Sequence, residues 1–190
     1  LAVMFPMIAQ VSEFEAAKRL LDIELARASQ RGEPVPETIR SGVMLEVPAL
    51  AMQFENLLPM VDFLSVGSND LVQFLFASDR GNPRLEGRYD ALSPAVLNFL
   101  KGIVEECDTR AVDLTVCGEM AGAPVAAMAL IGIGYRRLSM SPANIAPVKA
   151  MIRSMAVNGM VEYLEGLLHA PHPSIRRHLR GFARDHGVEV

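Results

Sequence analysis

The sequence predicts an α/β fold built on a parallel sheet. Three observations carry that prediction: short apolar runs alternate with longer stretches of helical periodicity, the runs are continuously apolar rather than alternating, and turn or cap residues separate them. Continuously apolar strands are expected where helices cover both faces of a sheet. Residues 2–8 read as a buried strand. Residues 12–30 read as an amphipathic helix with Phe14, Ala17, Leu21, Leu25 and Ala28 on one face, ended by Arg31-Gly32 and the prolines at 34 and 36. Residues 42–47 give the second strand, and residues 49–58 a short helix that Pro59 ends. A third strand over 61–67 leads into a helix from Asp70 to about Ala77.

Residues 79–89 are polar and carry glycine, which reads as a loop. Ser93-Pro94 supplies a capping serine and a first-turn proline for a helix reaching about Cys107. Residues 114–117 are the fourth strand, and 124–131 a helix stopped by Gly132 and Gly134. Residues 137–140 are the fifth strand. Ser141-Pro142 repeats the cap signal for a helix to about Val157, and helical stretches follow over 161–168 and 174–185. Five strand–helix units suit either a segment of a closed eight-stranded barrel or an open doubly wound sheet. No fixed-period repeat or low-complexity segment interrupts them.

Composition narrows the function classes. A chain of 190 residues suits one domain, and 51% hydrophobic residues allow a large core. A net charge of −4 with no lysine/arginine block argues against a nucleic-acid partner. Cys107 and Cys117 are the only cysteines and have no zinc-like spacing, so a reducing, cytoplasmic setting is expected. No apolar run reaches the ~18 residues of a membrane span, and no signal-peptide pattern is present, so no membrane partner is expected. The chain begins at Leu1, directly inside an apolar run, which suggests that a segment upstream has been cut away.

In parallel α/β folds chemistry gathers beyond the C-terminal ends of the strands. Glu46 ends the second run, Asn69 and Asp70 follow the third, Cys117, Gly118 and Glu119 end the fourth, and Ser139 and Ser141 flank the fifth. Acidic groups converging from neighbouring strand ends repel one another unless a cation joins them, and oxygen donors select Mg²⁺ or Mn²⁺ over zinc. Each residue also has a plainer reading. A Glu or Asn-Asp pair after a strand can simply cap a helix, and a cysteine there can be a small buried hydrophobe. Arg80 in the loop can be a solvated turn residue or a guanidinium fork on phosphate. His169, His172, His178 and His186 lie in the last stretch, away from every strand end, and read as surface residues. Arg176, Arg177 and Arg180 read as a solvated helix face, and the eleven methionines as adaptable core filler.

Taken together, several runs are recognisable. Met4-Phe5-Pro6-Met7-Ile8, Gly42-Val43-Met44-Leu45-Glu46-Val47-Pro48-Ala49, Asp62-Phe63-Leu64-Ser65-Val66-Gly67-Ser68-Asn69-Asp70-Leu71, Ala77-Ser78-Asp79-Arg80-Gly81-Asn82 and Cys117-Gly118-Glu119-Met120-Ala121-Gly122 resemble the phosphoenolpyruvate-binding domain of Enzyme I, the phosphoenolpyruvate-protein phosphotransferase of bacterial phosphotransferase systems. Order and spacing match from Val3 to about Ser154. The wording of the second, third and fifth runs leans toward the nitrogen-related paralogue, which usually carries an N-terminal GAF domain.

The resemblance implies a (β/α)8 TIM barrel of the phosphoenolpyruvate/pyruvate type. Residues 1–190 would hold about five of its units, with residues 155–190 as C-terminal helices. By motif match, Glu46 and Asp70 would bind Mg²⁺, Asn69 and Arg80 would hold the phosphoryl group, Cys117 would protonate the enolate to give pyruvate, and Glu119 would shape the pocket. The family's acceptor is a histidine on a separate domain, which passes the phosphoryl group to a small carrier protein. Members dimerise through the barrel, so a homodimer is expected. Two departures stand out: the arginines of the first three barrel strands and the histidine domain have no counterpart here, so the chain alone is expected not to turn over phosphoenolpyruvate. Ala123 also stands where the family often has a charged residue. Competing readings are a pyruvate phosphate dikinase or phosphoenolpyruvate synthase barrel, a Mg²⁺-dependent aldolase or lyase, and a non-catalytic dimerisation module.

Overall fold

Four of the five apolar runs pair in parallel, each with the next along the chain. In the computed structural model, which describes residues 1–79, 81–85 and 87–190, the strands are β1 (Ala2–Phe5), β2 (Arg40–Leu45), β3 (Phe63–Gly67) and β4 (Asp113–Cys117). They form one parallel sheet in the order β1-β2-β3-β4. A doubly wound sheet reverses strand order at a switch point. This sheet does not, so its order is that of a barrel segment.

The fifth expected strand departs from the sequence reading. Residues 137–140 make only a single parallel bridge, Leu138 to Val116. Val116 N–H donates to Arg137 O at 3.1 Å and Ser139 N–H to Val116 O at 2.8 Å. Leu138 is paired on one side only, and Pro142 opens a helix four residues later, which leaves little length for a longer ladder.

The helices are α1 (Val11–Gln30), α2 (Pro48–Ala51), α3 (Phe54–Leu57), α4 (Ser68–Leu75), α5 (Pro94–Thr109), α6 (Glu119–Gly122), α7 (Pro124–Gly132), α8 (Pro142–Ser154), α9 (Val157–Leu168) and α10 (Arg176–Asp185). The predicted face of α1 is the covered one: Phe14 is buried and Ala17, Leu21, Leu25 and Ala28 are half-buried. Glu13 Oε2 accepts from the Ala9 and Gln10 N–H groups at 2.8 and 3.0 Å, which satisfies donors at the start of α1. The single helix expected over 49–58 is instead α2, α3 and a 3-10 turn over Leu58–Met60. Gln53 sits at the break, where its Nε2 donates to Ala9 O and Ala49 O and its Oε1 accepts from Val11 N–H. Ser93 caps α5 as expected, its Oγ accepting from Val96 N–H at 3.4 Å. Ser141 takes the cap position of α8 without a side-chain bond.

Strand side chains alternate between two environments. Val43, Leu45, Leu64, Val66 and Val116 are fully buried. On the opposite pleat Met44, Thr115 and Cys117 are half-buried and Met4 is exposed. This second face is the barrel-interior side. At the N-terminal ends of the strands Asp113 is paired with Arg40 at 2.7 Å and Arg137 at 2.6 Å, and Ser41 N–H donates to Asp62 Oδ2 at 2.7 Å. Helix α7 is buried along nearly its whole length and packs against α8, α9 and α10.

The C-terminal helices are clipped to the segment that precedes α5. Arg176 makes a two-pronged contact with Asp90, Nε to Oδ2 at 2.9 Å and Nη2 to Oδ1 at 2.8 Å. Ser174 Oγ donates to Asp90 Oδ2 at 2.7 Å, and Ile175 N–H donates to Leu92 O at 2.9 Å. Partial burial pushes the Asp90 carboxyl up, but hydrogen bonds from Arg176, the Leu92 N–H and Ser174, with the Arg176 charge, outweigh it and hold it at about 2. A carboxyl held below its ordinary 3.8 stabilises the fold fully above that pH and loses its contribution as pH falls through about 2. Asp90→Asn is therefore expected to lower stability at pH 7 by about 1 kcal/mol, allowing for partial solvent screening. Thermal unfolding checks this: the gap between wild type and variant narrows as pH falls from about 4 and closes below about 2, and a gap as wide at pH 2 as at pH 7 contradicts it.

Candidate active site

The polar residues singled out by sequence fall at one end of the sheet because the strands share a register. Leu45 pairs with Val66, Val66 with Val116, and Gly67 with Cys117. Glu46 follows Leu45, and Ser68, Asn69 and Asp70 follow Gly67 as the first turn of α4. Glu119 opens α6 directly after Cys117 and Gly118.

Glu46 is only 7% exposed, and a buried carboxylate needs partners. Its Oε2 accepts from the Met7 N–H at 2.8 Å, and Met7 holds a positive φ of 56°. The rest of the side chain lies across Gly67, where a Cβ would meet Glu46 Cγ at 2.6 Å and Oε1 at 3.1 Å. Gly67 is thus the space that lets Glu46 lie over β3.

Gly118 does the same at the end of β4. Its φ is +98°, and a Cβ there would meet Ser68 Oγ at 2.4 Å and Asn69 Oδ1 at 2.8 Å. Ser68 Oγ donates to Cys117 O at 2.6 Å. Asn69 Oδ1 accepts from Glu119 N–H at 3.0 Å. That bond fixes the amide with its oxygen toward α6 and its NH₂ group on the other side.

The Cys117 sulfur contacts two groups of β3. Its thiol donates to Val66 O at 3.3 Å, and Ser65 Oγ donates to Sγ at 3.8 Å. Cys107 differs: it is fully buried in α5, and burial, helped by Asp108 and Glu106, pushes its thiol up to about 12. Asp70 is half-buried and Glu119 exposed. A cleft of about 210 Å³ is lined by Asn69, Gln73, Phe76, Ser78, Asp79 and Tyr89 among others, and of Glu46, Asn69, Asp70, Cys117 and Glu119 it takes in Asn69 alone. Phe76 and Tyr89 stack at 4.4 Å across its wall. Arg80, assigned by resemblance to the phosphoryl group, lies outside the described residues. Ser139 and Ser141 are exposed.

The donor set can be compared with what a cation requires. Among the described residues no group of three or more His, Cys, Asp or Glu is placed to hold a metal ion. Glu46 and Asp70 instead follow neighbouring strands β2 and β3. One or two carboxylates, with the remaining positions left to water and substrate phosphate, is the ordinary Mg²⁺ arrangement. Two carboxylates would suit a cation completed by ligand oxygens rather than one caged by the protein alone. Sequence reasoning missed Met7, Ser65 and Ser68; they act through backbone N–H or hydroxyl groups across sequence separations of 39, 52 and 49 residues, which no local pattern reveals.

A parallel sheet in sequential strand order, with helices packed on it and carboxylate, amide and thiol groups at its C-terminal end, is the architecture of a barrel-type α/β domain. The comparisons with known proteins specify which. The family described as PEP-utilising enzyme, PEP-binding domain matches residues 1–157, and the chain belongs to that family. It is 40% identical over 154 residues to a protein of Salmonella typhimurium LT2 named phosphoenolpyruvate-dependent phosphotransferase system, covering 80% of this chain and 20% of the relative. It is 36% identical over 169 residues to the phosphoenolpyruvate-protein phosphotransferase of Listeria monocytogenes, covering 89% of this chain and 30% of that one. The Lactococcus lactis protein of the same name is 35% identical over 162 residues, with 85% and 28% covered. The chain thus spans between 20% and 30% of the length of these curated relatives. Among solved structures, a citrate lyase from Burkholderia xenovorans LB400 matches the whole chain and 65% of its own with a TM-score of 0.53 at 16% identity, a likeness of fold. No helix of the described residues is long and apolar enough to cross a membrane.

Gly118→Ala is expected to destabilise the chain by about 1–3 kcal/mol, because it combines a strained positive φ with a clash against Ser68 and Asn69. Denaturant unfolding measures it. A variant as stable as wild type contradicts the packing described.

Proposed function

We propose that this chain is the C-terminal part of a phosphoenolpyruvate-binding barrel that works in a phosphoenolpyruvate-protein phosphotransferase. The longer protein would pass the phosphoryl group of phosphoenolpyruvate to a histidine on another domain, and from there to a carrier protein. The observation that carries the reading is the set Glu46, Asn69, Asp70 and Cys117 at one end of three paired strands, within a family match over residues 1–157.

The roles follow from chemistry. Glu46 and Asp70 would hold Mg²⁺, and when bound the ion would neutralise charge on the phosphoryl group. Glu46 suits this because its buried carboxylate is oriented by the Met7 N–H. Asn69, with its oxygen engaged by Glu119 N–H, would offer its NH₂ group to a phosphoryl oxygen, and Arg80 would add a guanidinium fork. Loss of the phosphoryl group leaves the enolate of pyruvate. The Cys117 thiol would then give its proton to the methylene carbon and complete pyruvate. Glu119 would shape the mouth of the pocket. Residues 1–190 would act as one partial barrel domain with residues 155–190 as its C-terminal helices. A homodimer, a cytoplasmic setting and inactivity of the isolated chain belong to the same proposal.

Calorimetric titration of phosphoenolpyruvate, with and without Mg²⁺, tests the proposal. The expected result is Mg²⁺-dependent binding that weakens at least roughly tenfold in Glu46→Ala/Asp70→Ala, the loss of about 1.4 kcal/mol or more that removing charged contacts brings. Binding indifferent to Mg²⁺ and to both carboxylates contradicts it.

A further inference from the structure

Ser65 is an unusual residue for the middle of a parallel strand. Such strands favour branched apolar side chains, and its neighbours Leu64 and Val66 are fully buried. Ser65 itself is 6% exposed, so its hydroxyl is costly unless it finds a partner. It lies opposite Thr115 in the β3–β4 ladder, two residues before the Gly67–Cys117 pair. Its side chain therefore shares a face with that of Cys117, one diagonal step away.

The hydroxyl donates to Cys117 Sγ at 3.8 Å, while the thiol donates to Val66 O at 3.3 Å. This pairing has an electrostatic consequence. A thiol can face a carbonyl oxygen because it offers a proton to it; once the proton has gone, a thiolate facing that oxygen is repelled. Of the two groups of β3 at the sulfur, the one that can still bond it is the Ser65 hydroxyl. Hydrogen bonds to ionised acceptors are shorter and about twice as strong as neutral ones, so a contact that is long with the thiol tightens when charge develops.

We propose that Ser65 is a positioning residue for Cys117: its hydroxyl keeps the sulfur on the barrel-interior face and donates to the thiolate left when Cys117 protonates the enolate. The proposal rests on the role of Cys117 given above. In the step, the S–H bond breaks and its electron pair stays on sulfur. The proton joins the methylene carbon through the pair of the enolate C=C bond, and the enolate oxygen becomes the ketone oxygen of pyruvate. Water returns a proton to the thiolate before the next turnover.

The test reads the thiol directly and needs no phosphoenolpyruvate, so its outcome is separate from that of the phosphotransferase reading. The 190-residue chain is alkylated with iodoacetamide at pH 7.5, and modification at each cysteine is followed by peptide mass. Cys107, buried and with its thiol pushed up to about 12, stays unlabelled while the chain is folded and so reports unfolding. Ser65→Ala is expected to slow Cys117 alkylation roughly five- to tenfold, the loss of one hydrogen bond to a charged group. Ser65→Thr, which keeps the hydroxyl, is expected to restore the rate to within about twofold. If Ser65→Ala exposes Cys107, Ser65→Gly replaces it as the hydroxyl-free variant. An unchanged rate in the folded hydroxyl-free variant, or a Ser65→Thr rate as slow as that variant, overturns the proposal.

Discussion

Hydrogen bonding between β2, β3 and β4 sets Leu45 beside Val66 and Val66 beside Val116, and the arrangement of the candidate site follows from that register. Side chains of a strand alternate with period two, so a slip of one residue would turn every one of them to the other face. Val43, Leu45, Leu64 and Val66 would then leave the core, where they are fully buried. The apolar cost of that exchange pins the polar residues as firmly as the apolar ones. Met44, Ser65 and Cys117 share a pleat because their neighbours must be buried. Glu46 lies across Gly67, and Asn69 meets Glu119 across the turn at Gly118, for the same reason.

The two ends of the sheet have different work. At the N-terminal end Asp113 joins Arg40 and Arg137, and Asp62 receives the Ser41 N–H. These contacts tie β2 and β4 to the segment that makes the Leu138 bridge. At the other end stand the polar groups, two of them carboxylates following adjacent strands, with Asn69 also lining the cleft beside α4. Helices α9 and α10 lie almost wholly beyond the residues that the family match covers. They are attached through Asp90, Ser174 and Arg176 to the segment that leads from the cleft-lining Tyr89 into α5. The arginine that read as part of a solvated face from sequence is therefore the anchor of the C-terminal helices.

How much of this was legible depended on the range of the interaction. Four strands were readable because short, mainly apolar runs bounded by turn and cap residues admit few alternatives, although the first, expected as a buried strand over residues 2–8, stops at Phe5 and is only half-covered. Residues 137–140 were readable as apolar but not as unpaired on one side, and only a single bridge forms. The break at Gln53 could not be seen locally, because Gln53 bonds to Ala9 and Val11, more than forty residues away. Glu46, Asn69, Asp70, Cys117 and Glu119 could be named from sequence because each stands where an apolar run stops. The Met7 N–H, the Ser65 hydroxyl and the Ser68 hydroxyl could not, since their partners become neighbours only when the ladder forms. The four histidines read as remote from the strand ends; His172 and His178 are ring neighbours of each other, and His186 stacks on Phe182, all within the C-terminal segment.

On the function proposed above, the strand-end groups would act on the enolate of pyruvate, with Cys117 as the proton donor. Exchange of the methyl protons of pyruvate with D₂O, followed by NMR in the full-length phosphotransferase proposed here, tests it without any phosphoryl transfer. Mg²⁺-dependent exchange is expected, falling by roughly 10²-fold or more in Cys117→Ala, the range for loss of a general acid–base group. Exchange at the wild-type rate in Cys117→Ala would contradict it.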